Sequence, residues 1–155
     1  MAAIYDSTIS SGEKSKLLDL SMRYCDSSII VYKNWISVWE KLSATDIADR
    51  IRPLVNEKDR YFEGLNFRRI FEKRVKDLIT AQVETPRRLS VSLSNKGTIY
   101  RHLLKVDSAL VYYQQALAIW KENRTAKSNL SVLMGGEPVK PTIIESLFPP
   151  DKNKK

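Results

Sequence analysis

Residues 14–42 read KSKLLDLSMRYCDSSIIVYKNWISVWEKL, and this stretch decides the fold class. Leu17, Leu18, Tyr24, Ile29, Tyr32, Trp35, Ile36, Trp39 and Leu42 recur at the three- and four-residue spacing of an amphipathic helix. Working outward, Thr45 followed by Asp46 has the form of an N-cap with an acidic first turn, which predicts a second helix. Pro53 must break or kink that helix, because it has no N–H to donate and clashes with the preceding turn. Helix can resume from Glu57 to about Phe62, and Gly64 with Asn66 marks the next break. Phe67, Ile70, Phe71, Val75, Leu78 and Ile79 form another apolar stripe, with cationic residues on the remaining faces. Thr85-Pro86 predicts a fresh helix start, since Thr caps and Pro suits the first helical position. That helix carries Leu89, Leu93, Tyr100 and Leu104, and Gly97 in it allows a neighbour to approach closely. Ala109, Leu110, Tyr113, Ala116, Leu117 and Trp120 then give the last major helix.

No segment alternates with the period of a strand, so the expected class is all-α, several amphipathic helices in one compact domain. Residues 1–134 are expected to form that domain, and residues 135–155 a tail rich in Pro and Gly. Within the tail lies TIIESLF, residues 142–148, whose Ile143, Ile144, Leu147 and Phe148 have helical spacing. An apolar island flanked by prolines suits docking into a groove, and packing on its own domain is the plainer reading.

The 155 residues are 43% hydrophobic and 28% charged, enough to bury a core and too polar for a membrane protein. Nothing approaches the roughly 18 uncharged apolar residues of a membrane span. The opening MAAIYDSTISSGEKSK shows neither a secretory nor a mitochondrial leader pattern, so a cytoplasmic location is expected. A lone cysteine, Cys25, allows no intrachain disulfide, and one cysteine with one histidine argues against a zinc site. Net charge is +8, a balance that suits a polyanionic partner. It is unevenly spread: residues 1–57 hold 7 Lys and Arg against 8 Asp and Glu, residues 58–155 hold 19 against 10.

Catalytic signatures are missing. There is no glycine-rich phosphate loop, no GxSxG and no HExxH. His102 sits beside Arg101 and near Lys105 in a helical pattern, Cys25 fits a small core residue, and Asp46, Asp49 and Glu57 fall on polar helix faces. No enzyme, cofactor or metal is expected. Cations interleaved with aromatics do occur: Lys58, Arg60, Tyr61 and Phe62, followed by Arg68, Arg69, Lys73, Arg74 and Lys76. Such a run can hold the backbone of a single strand while ring faces stack on its bases. The same pattern also describes two core aromatics beside a solvated cationic face.

Two resemblances bear on function. Residues 95–123, with Gly97, Tyr100, Ala109, Tyr113 and Ala116, resemble a tetratricopeptide repeat, and residues 26–41 echo residues 107–122. Three further blocks, IIVYKNW at 29–35, KDRYFEG at 58–64 and LLKVDSALVYY at 103–113, resemble in order the phage recombination mediator family, the UvsY-like proteins. That resemblance implies small helical proteins that bind single-stranded DNA, form homo-oligomeric rings, and contact a RecA-like recombinase and a single-strand-binding protein. Lys58 and Arg60 match its DNA-binding basic pair; the local charge adds Arg68, Arg69, Lys73, Arg74, Lys76, Arg87 and Arg88. The single-strand-binding part would span about 54–90 and the packing part about 86–134. Leu110, Tyr113, Leu117 and Trp120 are then oligomer interface or core. If phage-encoded, the protein would act in the host cytoplasm. The alternatives are a small helical-repeat scaffold for a protein partner, or a basic helical subunit of a larger nucleoprotein assembly.

Overall fold

In a computed structural model of the chain, residues 10–140 are described, and they are helical with no strand among them. Five α-helices follow in order: α1 (Ser11–Trp39), α2 (Ala44–Ile51), α3 (Phe67–His102), α4 (Val106–Ile119) and α5 (Arg124–Leu133). The all-α expectation holds. The central element is α3, 36 residues long, against which α1, α2, α4 and α5 all pack.

The helix starts are set by local hydrogen bonds. Ser10 and Glu13 form a reciprocal capping box at α1, with the Glu13 N–H donating to Ser10 Oγ at 3.3 Å. The same device opens α2, but its cap is Ser43 rather than the expected Thr45. Asp46 accepts from the Ser43 N–H at 2.9 Å, and Thr45 lies inside the first turn. These bonds hold the Asp46 carboxyl below the usual carboxylate range. Asn66 caps α3 and Asn123 caps α5, each side-chain oxygen accepting an N–H three residues on. At the end of α1 the Gln82 amide donates to the carbonyls of Trp39 and Leu42, at 2.7 and 2.8 Å. A side chain of α3 thus bonds carbonyls at the end of α1, where the helix supplies few partners of its own.

Several boundaries differ from expectation. Pro53 does end α2, in a 3-10 turn at Arg52–Leu54, but helix does not resume at Glu57; only the 3-10 turn Arg60–Phe62 forms. Thr85-Pro86 is no start, since α3 runs straight through Pro86. A proline inside a helix costs about 3 kcal/mol; packing by α1 and α4 on the turns around it outweighs that local preference. Leu104 is not on the helix. It lies in the α3–α4 turn at φ 58° and 86% exposed, with the Lys105 N–H returning to the Tyr100 carbonyl at 2.9 Å in a Schellman closure. The helix ending near Trp120 is not the last, because α5 follows it. Tyr24, counted in the buried stripe of α1, faces solvent.

The main core joins Ile29 of α1, Leu89 and Leu93 of α3, Ala109, Tyr113 and Ala116 of α4, and Ala126 of α5. A smaller cluster holds Leu18 and Ile99, with Met22 and Cys25 against it. Much of what α3 buries is small and polar: Thr85, Ser90, Ser92, Ser94, Gly97 and Thr98. Such residues let α4 come close, and the Ser90 and Thr98 hydroxyls find partners, whereas the buried Ser94 Oγ has none among the described residues. Ser90 donates to the Ala116 carbonyl at 2.7 Å and accepts from Asn123 at 2.9 Å; Thr98 meets the Tyr113 hydroxyl at 3.0 Å. The expected close approach at Gly97 is real: a Cβ there would lie 2.8 Å from Tyr113 Cε1. Gly97→Ala should therefore lower stability by about 1–3 kcal/mol, despite alanine's better helix propensity, because Tyr113 is fully buried and cannot retreat. Urea denaturation monitored by circular dichroism measures this directly.

Candidate nucleic-acid interface

Nothing in α3 before Thr85 is buried, so its first half projects past the core, covered on one side by α2 and by the turns between them. Between residues 50 and 76 the chain carries nine Lys and Arg against four Asp and Glu. On a helix of 100° per residue, Arg69, Lys73 and Lys76 fall in one outward row, and all three are exposed. Arg74 and Arg68 flank that row on opposite sides and are also exposed; Arg68 forms an open i,i+4 pair with Glu72 at 2.9 Å. Such a pair is weak and screened, so it leaves Arg68 able to exchange partners.

The turn ahead of α3 sorts its residues by direction. Asn56 accepts the Lys58 N–H at 3.1 Å, and Asp59 caps the 3-10 turn by accepting the Tyr61 N–H at 3.2 Å. Held this way, Lys58 and Arg60 are exposed and Tyr61 stands 86% exposed. Phe62, its neighbour, turns inward and meets Phe67 edge to face at 5.0 Å. Phe67 stacks on Phe71 at 6.1 Å, and the Arg52 guanidinium lies 4.7 Å above the Phe71 ring. Of the two aromatics beside Lys58, Tyr61 is the one exposed to solvent and Phe62 props the turn. Two cations escaped notice in the sequence: Arg52, and Arg50 over the Trp39 ring at 5.4 Å. Both are exposed. The signal that could have found them is arginine repeated at two residues' spacing ahead of the Lys58 turn.

The structure separates Arg87 from this group. Its side chain is only 14% exposed, pairs with Glu84 at 3.1 Å and covers Trp120 from α4's end at 5.7 Å. Arg88 is exposed. The four residues expected as interface or core serve this chain's own packing in two cases: Tyr113 is fully buried and Leu117 packs on the main cluster. Leu110 and Trp120 are half-buried. Ile143, Ile144, Leu147 and Phe148 lie outside the described residues.

Other chemistry is sparse. Among the described residues no group of three or more His, Cys, Asp or Glu could hold a metal, and no helix is long and apolar enough to cross a membrane. Burial, and then the neighbouring Asp26 charge, push the Cys25 thiol up, so it stays protonated and weakly nucleophilic at neutral pH. Partial burial, then Arg101 and Lys14, hold His102 below its ordinary value and keep it neutral there. Lys96 joins the three long helices: from α3 it reaches Asp26 on α1 and lies over Tyr112 on α4. Burial would depress its pKa, yet the hydrogen bonds to Asp26 and Tyr112 win and raise it. Its contribution to stability is therefore complete below the ordinary lysine value and disappears as pH rises through the raised one.

Comparison with protein families, with curated proteins and with solved structures finds no match for the chain. The tetratricopeptide-like segment does form a helix hairpin with Gly97 against Tyr113. However, α3 at 36 residues is by itself longer than the 34-residue, two-helix unit of such a repeat.

The two roles assigned to arginine can be told apart. Arg87→Ala should lower stability by about 1–2 kcal/mol through lost cover over Trp120 and an unpaired Glu84. Arg69→Ala and Lys73→Ala should stay within about 0.5 kcal/mol of the parent. Thermal melts of the three variants provide the comparison.

Proposed function

We propose that this protein is a non-enzymatic single-stranded-DNA-binding recombination mediator, which helps a RecA-like recombinase replace single-strand-binding protein on DNA. One observation carries the reading: an exposed tyrosine, Tyr61, stands beside the exposed Lys58 and Arg60 on the turn leading into a half-helix that shows the cationic row Arg69, Lys73, Lys76 to solvent and contributes no buried residue. Cations along a strand and a ring under an unstacked base are what sequence-tolerant single-strand binding requires. The ordered resemblance of three blocks to the UvsY-like mediators supports the same reading. In it, KDRYFEG is the basic turn, and LLKVDSALVYY is the α3–α4 turn with the first half of α4. Mediation of this kind runs on binding energy. Several subunits engaging one strand gain avidity, because each contact after the first is intramolecular.

Fluorescence anisotropy with labelled poly-dT, from about 50 to 500 mM salt, tests this against duplex of equal length. Affinity should fall linearly on a log–log plot with a slope of about −0.7 per phosphate neutralised. Lys58→Ala with Arg60→Ala should make that slope shallower by about 1.4. Tyr61→Ala should cost about 1–3 kcal/mol with little change in slope, since stacking carries no counterion release. Absence of binding at 50 mM salt, or a preference for duplex, overturns the proposal.

A further inference from the structure

The cations that lie over aromatic rings are of two kinds. Arg87 over Trp120 and Lys96 over Tyr112 are only 14% and 13% exposed, and each also pairs with a carboxylate, Glu84 or Asp26. Those two tie α3 to its neighbours. Arg50 over Trp39 and Arg52 over Phe71 are exposed, and neither has an ion pair among the described residues. Arg52 is thus a guanidinium rested on a ring, turned to water and left without a carboxylate. We propose that Arg52, posed on Phe71, is a second base-stacking platform near Tyr61, which makes binding depend on unpaired bases as well as on phosphates. The proposal rests on the single-strand reading of this part of the chain.

The platform is held from below and from both sides. The Arg52 N–H donates to the Ala48 carbonyl, and its own carbonyl accepts the Val55 N–H at 3.3 Å. Pro53 fixes the next backbone angle, and the buried Ile47 and Ile51 seat α2 against the rest of the chain. The ring beneath is equally fixed. Phe71 stacks on Phe67 at 6.1 Å, and Phe67 meets Phe62 edge to face at 5.0 Å. Phe62 adjoins Tyr61, so one aromatic column runs from the guanidinium, 4.7 Å above Phe71, to the turn that exposes Tyr61. Those three separations keep Arg52 within a few nucleotides' reach of that turn. Arg50 leaves α2 about 200° further round, toward Trp39 on α1, and does not share the column. A guanidinium suits this task, being planar, always charged and more weakly hydrated than an ammonium. Unpaired bases stack on such planes much as they do on aromatic rings. In a duplex the base faces are covered by their neighbours, so the platform rewards only an unstacked strand.

Arg52→Lys keeps the charge and removes the plane, at an exposed position where the fold is not at stake. Anisotropy at about 50 mM salt compares the full-length parent and variant on labelled poly-dT and on an abasic strand of equal length, which has the phosphates without the bases. Arg52→Lys should bind poly-dT roughly three- to tenfold more weakly than the parent, and the abasic strand equally well. Duplex affinity should stay the same, so the preference for single strand narrows. Phe71→Leu leaves Arg52 in place but takes away its rest, and should reproduce the loss on poly-dT alone. Equal losses on poly-dT and abasic strand make Arg52 a phosphate contact and overturn the proposal, as does an Arg52→Lys protein with full affinity for poly-dT. Full affinity in Phe71→Leu overturns the role given to the ring. A parent that binds neither strand overturns the single-strand reading itself, whereas a parent that binds poly-dT no better than Arg52→Lys does overturns the platform alone.

Discussion

The contact between Gly97 and Tyr113 sets how near α4 can lie to α3, and the rest of the molecule is arranged around that distance. A tyrosine ring buried flat against a helix backbone needs a residue without a side chain beneath it, and its hydroxyl needs a partner at depth. Gly97 provides the first and Thr98 the second. With the two helices that close, the residues flanking the contact must be small, and they are: Ser90 and Ser94 on α3, Ala109 and Ala116 on α4. Asn123 then finds Ser90 within reach, so the cap of α5 and the α3–α4 seam share one hydrogen-bond chain. A core built this way joins its helices by hydrogen bonds as well as by apolar contact.

The consequence for function is a division of labour along one helix. From Thr85 onward α3 is committed to packing, and two of its cations there are tied inward, Lys96 to Asp26 and Arg87 to Glu84 and Trp120, while Arg88 stays exposed. Before Thr85 the same helix is free of the core and carries its cations outward. The exposed half therefore presents its row of charges at the spacing of the helix, with the other half embedded. The preceding turn exposes Tyr61 separately, with Asp59 accepting its N–H and the neighbouring Phe62 anchored on Phe67.

Much of this was legible in the sequence. The helical class followed from periodicity, and Gly97 announced a close neighbour because a glycine in an otherwise helical run needs a packing reason. The basic surface was legible as charge. What could not be read was decided by residues distant in the chain. Thr85-Pro86 has the same local form at a helix start as within a helix held from both sides. Arg87 looked like its exposed neighbour Arg88 because Trp120, which it covers, is 33 residues away. Tyr24 and Ile29 both match a helical stripe when either face of α1 is allowed to be apolar; only the position of α3 shows which is covered. The last helix, α5, was overlooked because its apolar content is thin, although Asn123 and the Gly135-Gly136 pair bracket it as cap and stop.

Pro86 lies where α3 passes from display to core, and it interrupts the hydrogen-bond ladder at that border. The helix is continuous in shape, but cooperativity need not cross a missing bond. Backbone amides of the first half, lacking buried neighbours, can exchange with solvent through local opening that stops at the proline. Those beyond it are released only when the α3–α4 seam comes apart. One geometrical helix is in this sense two foldons. The exposed half can open locally without loosening the half that holds the molecule together.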